Sequence, residues 1–336
     1  MKTKFLVFTD LHTDIVHDTV ARVQVMCEAA KREGAEHFVH LGDIMYPETE
    51  FLLKNAPESI EKRRDSWFLC DRDDEKVQIK KLLAATGLPV HGTLGNHDMD
   101  SCSKATACLY WNMPANYYSF VEGGVRFIAL DTNRFITDDG YIDYDHNNYK
   151  YSDGPHTTWL GLEQIAWLEK EIMASAEPCV LLSHAPLAGD MYMIHDSEQL
   201  LAVLRRVNSN RRRVILSLNG HTHVDGMCVA AGVPMVTINS ASNHWMGEEY
   251  ATVRYSETIC RMYPHLPNCA PYQAALYSVI TISDEGIEMT GVDSVFVGKT
   301  PKELNFSKDR YSYEPTAAVS ARKLPLTEMT DTSGEE

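Results

Sequence analysis

The sequence lacks several features that would assign it to a broad class of protein. No run of about eighteen apolar residues is present, so a membrane-spanning helix is not expected. Basic residues are few: 31 lysines and arginines face 47 acids, which gives a formal net charge of −16. A surface of that charge repels nucleic-acid phosphates, so a large nucleic-acid substrate is not expected either.

An export signal and paired cysteines of the zinc-binding kind are also missing. The N-terminus has two lysines and a short apolar run, but Asp10 follows at once, which favours a first strand and a cytoplasmic protein. There are eight cysteines, and none lies in a CxxC pair. We therefore expect reduced thiols, including at the closely spaced pairs Cys102 and Cys108, and Cys260 and Cys269.

The 336 residues have ordinary proportions for a globular protein, with 44% apolar and 23% charged residues. The sequence contains no internal repeat and no low-complexity tract. We expect one domain over residues 1–297, followed by a polar C-terminal extension over residues 298–336 that is partly disordered.

Strands and helices alternate in the first third of the sequence. Residues 4–9 and 36–41 are typical of buried strands, and residues 17–33 between them have the apolar spacing of a helix, which predicts a parallel strand pair joined by a crossover helix. Further helices are predicted at 47–86, 105–111, 162–175 and 197–207, and strands at 89–94, 117–121, 125–131, 179–182 and 213–218. Beyond residue 218 the predicted strands are antiparallel, so two sheets are implied: 226–230, 234–239, 273–282 and 287–292.

Two long segments have no clear period, and we expect them to lie at the rim of a pocket. Residues 132–158 are polar and aromatic, and residues 240–271 contain several prolines. Their candidate substrate contacts are His146, His156, Asn243, His244 and Trp245.

Five short polar stretches each follow an apolar run. They are Asp10-Leu11-His12, Gly42-Asp43, Leu94-Gly95-Asn96-His97-Asp98, Ser183-His184-Ala185-Pro186 and Gly220-His221-Thr222-His223. Ligands bind at the carboxyl ends of strands in open α/β sheets, and these stretches offer carboxylate, amide and imidazole groups there. The sequence thus predicts a pocket for two metal ions, and this mixture of ligands suits manganese, iron or zinc.

The five stretches resemble the signature of the calcineurin-like metallophosphoesterases, which is DxH, GDxx, GNHD, HxP and GHxH. The resemblance extends from Asp10 to His223, about two-thirds of the chain. It implies an α/β fold, the four-layer metallophosphatase sandwich, in which two mixed β-sheets lie face to face and are flanked by helices.

The resemblance also implies how the two ions are held. One ion would be bound by Asp10, His12, Asp43 and His223, and the other by Asp43, Asn96, His184 and His221. Asp43 would bridge the ions, and a hydroxide shared by them would serve as the nucleophile, because two cations lower the pKa of bound water.

His97 is the candidate proton donor for the leaving oxygen, because it stands next to the ligand Asn96. Asp98 is expected to hold the imidazole of His97 in the correct tautomer. The alternative is that His97 is a structural histidine. Tyr46 makes the second stretch similar to the GDxxY of purple acid phosphatases, but His12 already fills that coordination position. Tyr46 is therefore interpreted as a packed or substrate-facing ring.

The expected activity is hydrolysis of a phosphodiester in a small nucleotide-like substrate. This preference rests on the DxH stretch, which is similar to that of the cyclic-nucleotide phosphodiesterases of the family. The alternatives are a nucleotide pyrophosphatase acting on ADP-ribose or CDP-alcohols, a phosphomonoesterase, and a scaffold that has lost catalysis. The expected partner is a small phosphorylated molecule, without membrane or nucleic acid.

Overall fold

Two six-stranded β-sheets form the centre of the structure, a computed structural model that describes residues 1–13, 15–45, 75–100, 102–148, 158–189, 191–306, 314–327 and 329–332. The strands of these ranges are β1 (Lys2–Phe8), β2 (His37–His40), β3 (Val90–Gly92), β4 (Tyr118–Glu122), β5 (Val125–Ala129), β6 (Arg134–Thr137), β7 (Gly140–Asp143), β8 (Cys179–Leu182), β9 (Val214–Asn219), β10 (Gly226–Ala230), β11 (Val233–Thr237), β12 (Asn243–Trp245), β13 (Cys269–Pro271), β14 (Ser278–Ser283), β15 (Gly286–Met289), β16 (Val292–Asp293), β17 (Ala318–Val319) and β18 (Arg322–Leu324). The helices are α1 (Thr19–Glu33), α2 (Glu75–Ala85), α3 (Lys104–Tyr110), α4 (Leu162–Ala174), α5 (Ser197–Asn208) and α6 (Glu257–Met262), with short 3-10 turns at His97–Met99, Glu248–Tyr250, Leu266–Asn268 and Lys302–Leu304.

Both large sheets are mixed. The first has the strand order β18-β15-β14-β1-β2-β3, in which β1, β2 and β3 are parallel and β14 runs antiparallel to β1. The second has the order β10-β11-β9-β8-β5-β4, with β11, β9, β8 and β5 parallel and an antiparallel strand at each edge. Each sheet therefore presents a block of parallel carboxyl ends at one edge.

Three apolar layers hold the two sheets and the helices together. Phe5 and Val39 of the first sheet pack with Phe127 of the second, so the inner faces of the sheets share one core. A second core joins the outer face of the first sheet to α1 through residues such as Met26. A third joins the second sheet to α4 and α5 through residues such as Leu168. This confirms the fold implied by the sequence: two mixed sheets face to face with helices outside.

The helix that crosses from β1 to β2 ends as its sequence predicts. Gly34 follows α1 with a φ of 70°, and its backbone N–H donates to the carbonyl groups of Ala30 and Lys31. A residue without Cβ adopts this left-handed conformation at little cost, which makes glycine the usual terminator. The short connection to His37 then places the end of β2 beside the end of β1.

Several predictions from the sequence were wrong or fall outside the described residues. Residues 132–158 were expected to lack regular structure, but residues 134–143 form the hairpin of β6 and β7. Strand β11 was expected to be antiparallel throughout, yet it pairs in parallel with β9. The part of the 47–86 helix prediction before Glu75 lies outside the described residues.

Two other sequence expectations concern cysteines and the C-terminal extension. The described cysteines, Cys27, Cys102, Cys108, Cys179, Cys228, Cys260 and Cys269, form no disulfide with one another. Within residues 298–336, β18 pairs with β15 at the edge of the first sheet, and Thr332 donates its backbone N–H to Val229 of the second sheet. Among the described helices, none has the length and apolar character needed to span a bilayer.

Candidate metal centre

The structure brings the seven predicted ligands together where parallel strands of both sheets end. Neighbouring carboxyl ends lie at one edge of a sheet, so short loops after them meet in space. The side chains are Asp10 and His12 after β1, Asp43 after β2, Asn96 after β3, His184 after β8, and His221 and His223 after β9.

Asp10, His12 and His223 form the first cluster. The Nε2 atoms of His12 and His223 are 2.9 Å apart. Oδ1 of Asp10 lies 3.4 Å from Nε2 of His223 and 3.8 Å from Nε2 of His12. All three side chains are buried, so their ligand atoms face one another away from bulk water.

His184 is the centre of the second cluster. Its Nε2 lies 3.2 Å from Oδ2 of Asp43, 3.0 Å from Nδ1 of His221 and 3.2 Å from Oδ1 of Asn96. Oδ2 of Asp43 is also 4.0 Å from Nε2 of His12 in the first cluster. Asp43 is therefore positioned to be shared by two ions.

Backbone carbonyl groups fix the tautomers of two of these histidines. Nδ1 of His184 lies 2.8 Å from the carbonyl oxygen of Leu41, and Nδ1 of His223 lies 2.9 Å from that of Asn243. Because a carbonyl oxygen can only accept, each Nδ1 carries the hydrogen, and in the neutral ring Nε2 presents a lone pair to the cluster. Metal-binding histidines are commonly oriented in this way.

The arrangement of acceptors fits two cations. Nε2 of His184 faces Oδ2 of Asp43 at 3.2 Å, so the neutral ring would repel the carboxylate unless a cation, either a proton or a metal ion, lay between them. Oδ1 of Asp10 is buried and has no hydrogen-bond partner among the described residues, although a buried carboxylate oxygen normally has one. Both observations are expected of ligands that converge on metal ions, and the nitrogen and oxygen donors suit manganese, iron or zinc.

The electrostatics of the clusters also favour bound cations. Burial alone would raise the pKa of Asp10, but the nearby imidazole of His223 lowers it to about 2. Burial would lower the pKa of His184, but the carboxylate of Asp43 raises it to about 9. Burial and the charge of His223 lower the pKa of His12 to about 3, so this ring is neutral and able to bind a metal.

Five of the proposed ligands have a strained backbone. The φ angles are 50° at Asp10, 51° at His12, 50° at Asp43, 71° at His221 and 54° at His223. Side chains other than glycine rarely adopt this left-handed region, and such outliers concentrate at functional sites. Cooperative packing in the two sheets must therefore hold these residues in place.

Glycines next to the ligands allow the loops to approach closely. A Cβ atom on Gly95 would lie 2.1 Å from Oδ1 of Asp43, and one on Gly220 would lie 2.4 Å from Oδ2 of Asp10. Neither position has room for a side chain, so the glycines of the GNHD and GHxH stretches are required by packing around the carboxylates.

The partner predicted for His97 was wrong. The carboxylate of Asp98 is buried and accepts hydrogen bonds from the backbone N–H groups of Asp43, Ile44, Met45 and Gly95, so it joins two ligand loops. Nδ1 of His97 lies instead 2.7 Å from Oδ2 of Asp100. The reason is geometric, because His97–Met99 is a 3-10 turn, in which side chains three residues apart lie on the same side.

Asp100 and Tyr144 are site residues that the sequence reasoning missed. The hydroxyl of Tyr144 donates to Oδ1 of Asp100, and both side chains are buried. The ring of His97 is 25% exposed and stands 5.6 Å from the ring of His12. The spacing of His97 and Asp100 was the available signal for that pair, whereas Tyr144 was expected only as part of the 132–158 rim segment, with no partner indicated.

The predicted rim residues have different positions. The backbone carbonyl of Asn243 accepts from His223, and Nδ1 of His244 lies 2.9 Å from the carbonyl oxygen of His223. His244 is buried behind this ligand, which argues against its predicted contact with substrate. Trp245 is exposed, and His146 contacts Asp145. The predictions for Tyr46 and His156 lie outside the described residues.

Comparison with known proteins supports this description of the fold. The chain is similar in structure to a dimetal phosphatase from Danio rerio, with a TM-score of 0.58 and 16% identity over 89% of this chain and 99% of that chain. It is also similar to GAP50 of Plasmodium, the anchor in the inner membrane complex, with a TM-score of 0.52 and 13% identity over 99% of this chain and 90% of that chain. Among curated protein sequences no match was found. The family model of the calcineurin-like phosphoesterases matches residues 3–225, and the chain therefore belongs to that family.

Proposed function

We propose that the protein hydrolyses a phosphodiester in a small nucleotide-like substrate. The observation that carries the proposal is the convergence of ligand atoms in the two clusters, among them Nε2 of His184, which faces Asp43, and Oδ1 of Asp10, which has no hydrogen-bond partner among the described residues. Members of the family use a dinuclear metal centre to act on phosphoesters, and the two clusters offer such a centre. The proposed ions are manganese, iron or zinc.

The proposed ligands fall into two groups, one for each ion. Asp10, His12 and His223 hold one ion, and Asn96, His184 and His221 hold the other, with Asp43 shared between them. When bound, the ions supply a nucleophilic water at neutral pH and positive charge for the phosphate oxygens. The chain itself keeps Asp43 in place, because Oδ1 of that carboxylate accepts from the backbone N–H of His97.

His97 is proposed to protonate the oxygen of the leaving group. Its ring is partly exposed at the edge of the centre, and Asp100 fixes its orientation through Nδ1, which leaves Nε2 to face a substrate. Burial would lower the pKa of His97, but the carboxylates of Asp100 and Asp43 raise it to about 9, so the ring can carry the proton that an alkoxide needs. Asp98 supports the loop without contacting that ring nitrogen.

The proposal is tested by hydrolysis rates on four substrates, with Mn²⁺ and with a chelator. The substrates are bis-p-nitrophenyl phosphate, p-nitrophenyl phosphate, cyclic AMP and ADP-ribose. We expect Mn²⁺-dependent hydrolysis that is fastest on the diesters. Asp43→Asn should abolish it, whereas Asp284→Asn, a change at an exposed carboxylate paired with the N-terminus, should retain the wild-type rate.

Each other outcome identifies a different function. Fastest turnover of p-nitrophenyl phosphate would overturn the diesterase proposal in favour of a phosphomonoesterase, and fastest turnover of ADP-ribose would favour a pyrophosphatase. If protein shown to contain metal hydrolyses none of the substrates, the proposed catalysis is wrong and the protein is a scaffold.

A further inference from the structure

The loop from His184 to the start of α5 is held firmly at both ends. The backbone N–H of Ile194 donates to the carbonyl of Pro186 at 2.9 Å, and the hydroxyl of Ser197 donates to the carbonyl of Leu187 at 2.7 Å. These bonds close the loop on itself a few residues from the ligand His184. The described residues between these bonds, Met191 to Met193 among them, are therefore held close to the metal centre.

Tyr192 is one of these residues and lies beside the second cluster. Its ring centroid is 6.0 Å from that of His221, with the two rings nearly perpendicular at 77°. The side chain is partly exposed. The backbone of Tyr192 has a φ of 49°, the same left-handed conformation as five proposed ligands. A bulky aromatic residue rarely adopts this conformation, so the fold maintains an unfavourable backbone at a position beside the reactive centre.

We propose that Tyr192 is a specificity-determining residue that selects phosphoesters with a planar aromatic substituent, such as an aryl group or a nucleobase. This inference rests on the proposed function, because it assumes that the phosphate is held at His184 and His221. A substituent that extends from a phosphate held there on the side of His221 meets the ring of Tyr192. Aromatic rings stack on planar groups and give alkyl groups less contact.

Binding of two phosphonates to the Mn²⁺-loaded protein tests this selection without turnover. Phenylphosphonate and methylphosphonate share the same anionic group and differ only in the substituent. We expect the wild-type protein to bind phenylphosphonate roughly three- to tenfold more tightly than methylphosphonate in calorimetry, since this is the range given by an aromatic pair.

Two substitutions at Tyr192 separate the ring from the hydroxyl. Tyr192→Asn removes the ring and suits the left-handed backbone, so it should equalise the two dissociation constants while changing that of methylphosphonate less than about threefold. Tyr192→Phe keeps the ring and should keep the preference. Tyr141→Leu, a change at an exposed aromatic residue that contacts Trp159, is the matched control and should behave as wild type.

The inference is overturned if Tyr192→Asn retains the phenyl preference, or if Tyr192→Phe loses it as fully as Tyr192→Asn does. Its failure is distinct from that of the proposed function. If the protein does not hydrolyse any substrate but prefers phenylphosphonate in a way that depends on Tyr192, the proposed function is wrong and the aromatic specificity is supported. If it hydrolyses a phosphoester but shows no such preference, the proposed function is supported and the role of Tyr192 is wrong.

Discussion

At the scale of single residues, three histidines of the centre each have a neighbour that fixes one ring nitrogen. Leu41 and Asn243 orient His184 and His223 through backbone carbonyls, and Asp100 orients His97. Preorganisation of this kind means that a substitution can remove chemistry without removing the metal, or remove the metal without touching a ligand. The two residue-scale predictions separate these cases.

The first concerns the proposed proton donor. His97→Ala should lower kcat by a factor of about 10² to 10⁴, the usual contribution of a positioned acid, while metal content stays close to wild type. Steady-state kinetics and metal analysis of the same preparation provide the measurement. Loss of an ion from the variant would show that His97 is a ligand instead.

The second prediction concerns Gly220, which does not bind a metal itself but lies next to the ligand Asp10. Gly220→Ala places a methyl group 2.4 Å from Oδ2 of Asp10 and 2.1 Å from Oγ1 of Thr9, so it should weaken metal binding by roughly 10- to 100-fold. Titration with Mn²⁺ measures the loss. Gly226→Ala is the control, because its added Cβ would lie 3.9 Å from Thr237 and should leave the affinity unchanged. Wild-type affinity in Gly220→Ala would mean that the loop can move aside.

At the scale of elements, the sequence predicted those parts of the fold that depend on local pattern. The strands before Asp10, Asp43 and His184 were recognisable because apolar runs end at polar turns. The β6–β7 hairpin was not, because its strands have four residues each and none of those in β7 is buried. The contact of Tyr144 with Asp100 joins residues far apart in sequence, and no local pattern encodes it.

A buried ion pair couples α3 to the loop after β5 and to the metal centre. Nζ of Lys104 lies 2.6 Å from Oδ2 of Asp131, which is fully buried. Burial would raise the pKa of Asp131, but the charge of Lys104 lowers it. Asn133 extends the network, since its backbone carbonyl accepts from Lys104 and its side chain donates to the carbonyl of Leu94, two residues before Asn96.

Lys104→Met should therefore destabilise the protein by about 3 kcal/mol, because it leaves the buried carboxylate of Asp131 without its cation. Urea unfolding measures the change. Lys323→Met is the matched control, since its partner Glu288 and the lysine itself are exposed, and its unfolding midpoint should equal that of wild type. Equal midpoints for both variants would show that hydrogen bonds from Asn116 and Asn133 suffice for Asp131.

At the scale of the whole molecule, the proposed ligands come from both sheets. Asp10, Asp43 and Asn96 follow strands of the first sheet, whereas His184 and His221 follow strands of the second. Bound ions would link the sheets, so Mn²⁺ should raise the thermal midpoint relative to protein in chelator. Asp43→Asn should reduce this rise, and an unchanged midpoint in wild type would argue against ions shared between the sheets.

The shared core between the sheets also contains a histidine with unusual surroundings. His37 is fully buried, and its ring stacks on Phe5 at 5.1 Å and stands 5.3 Å from the ring of Phe127. Neither of its ring nitrogens has a hydrogen-bond partner among the described residues. Burial, together with the charge of nearby His91, lowers the pKa of His37 to about 3. The folded protein therefore resists protonation of this ring.

The difference between the pKa of His37 in the folded and in the unfolded protein makes the stability depend on pH. An unfolded histidine has a pKa of about 6.5, so between that value and about 3 the unfolded state binds a proton that the folded state does not. Stability is therefore lost as pH falls through this window, and at pH 5 the loss from His37 is about 2 kcal/mol. In His37→Phe, which suits the aromatic surroundings, the decrease in unfolding free energy between pH 8 and pH 5 should be smaller than in wild type by that amount. Urea unfolding of both proteins at the two pH values measures the difference, and equal decreases would show that His37 is protonated in the folded protein or stays neutral in the unfolded one.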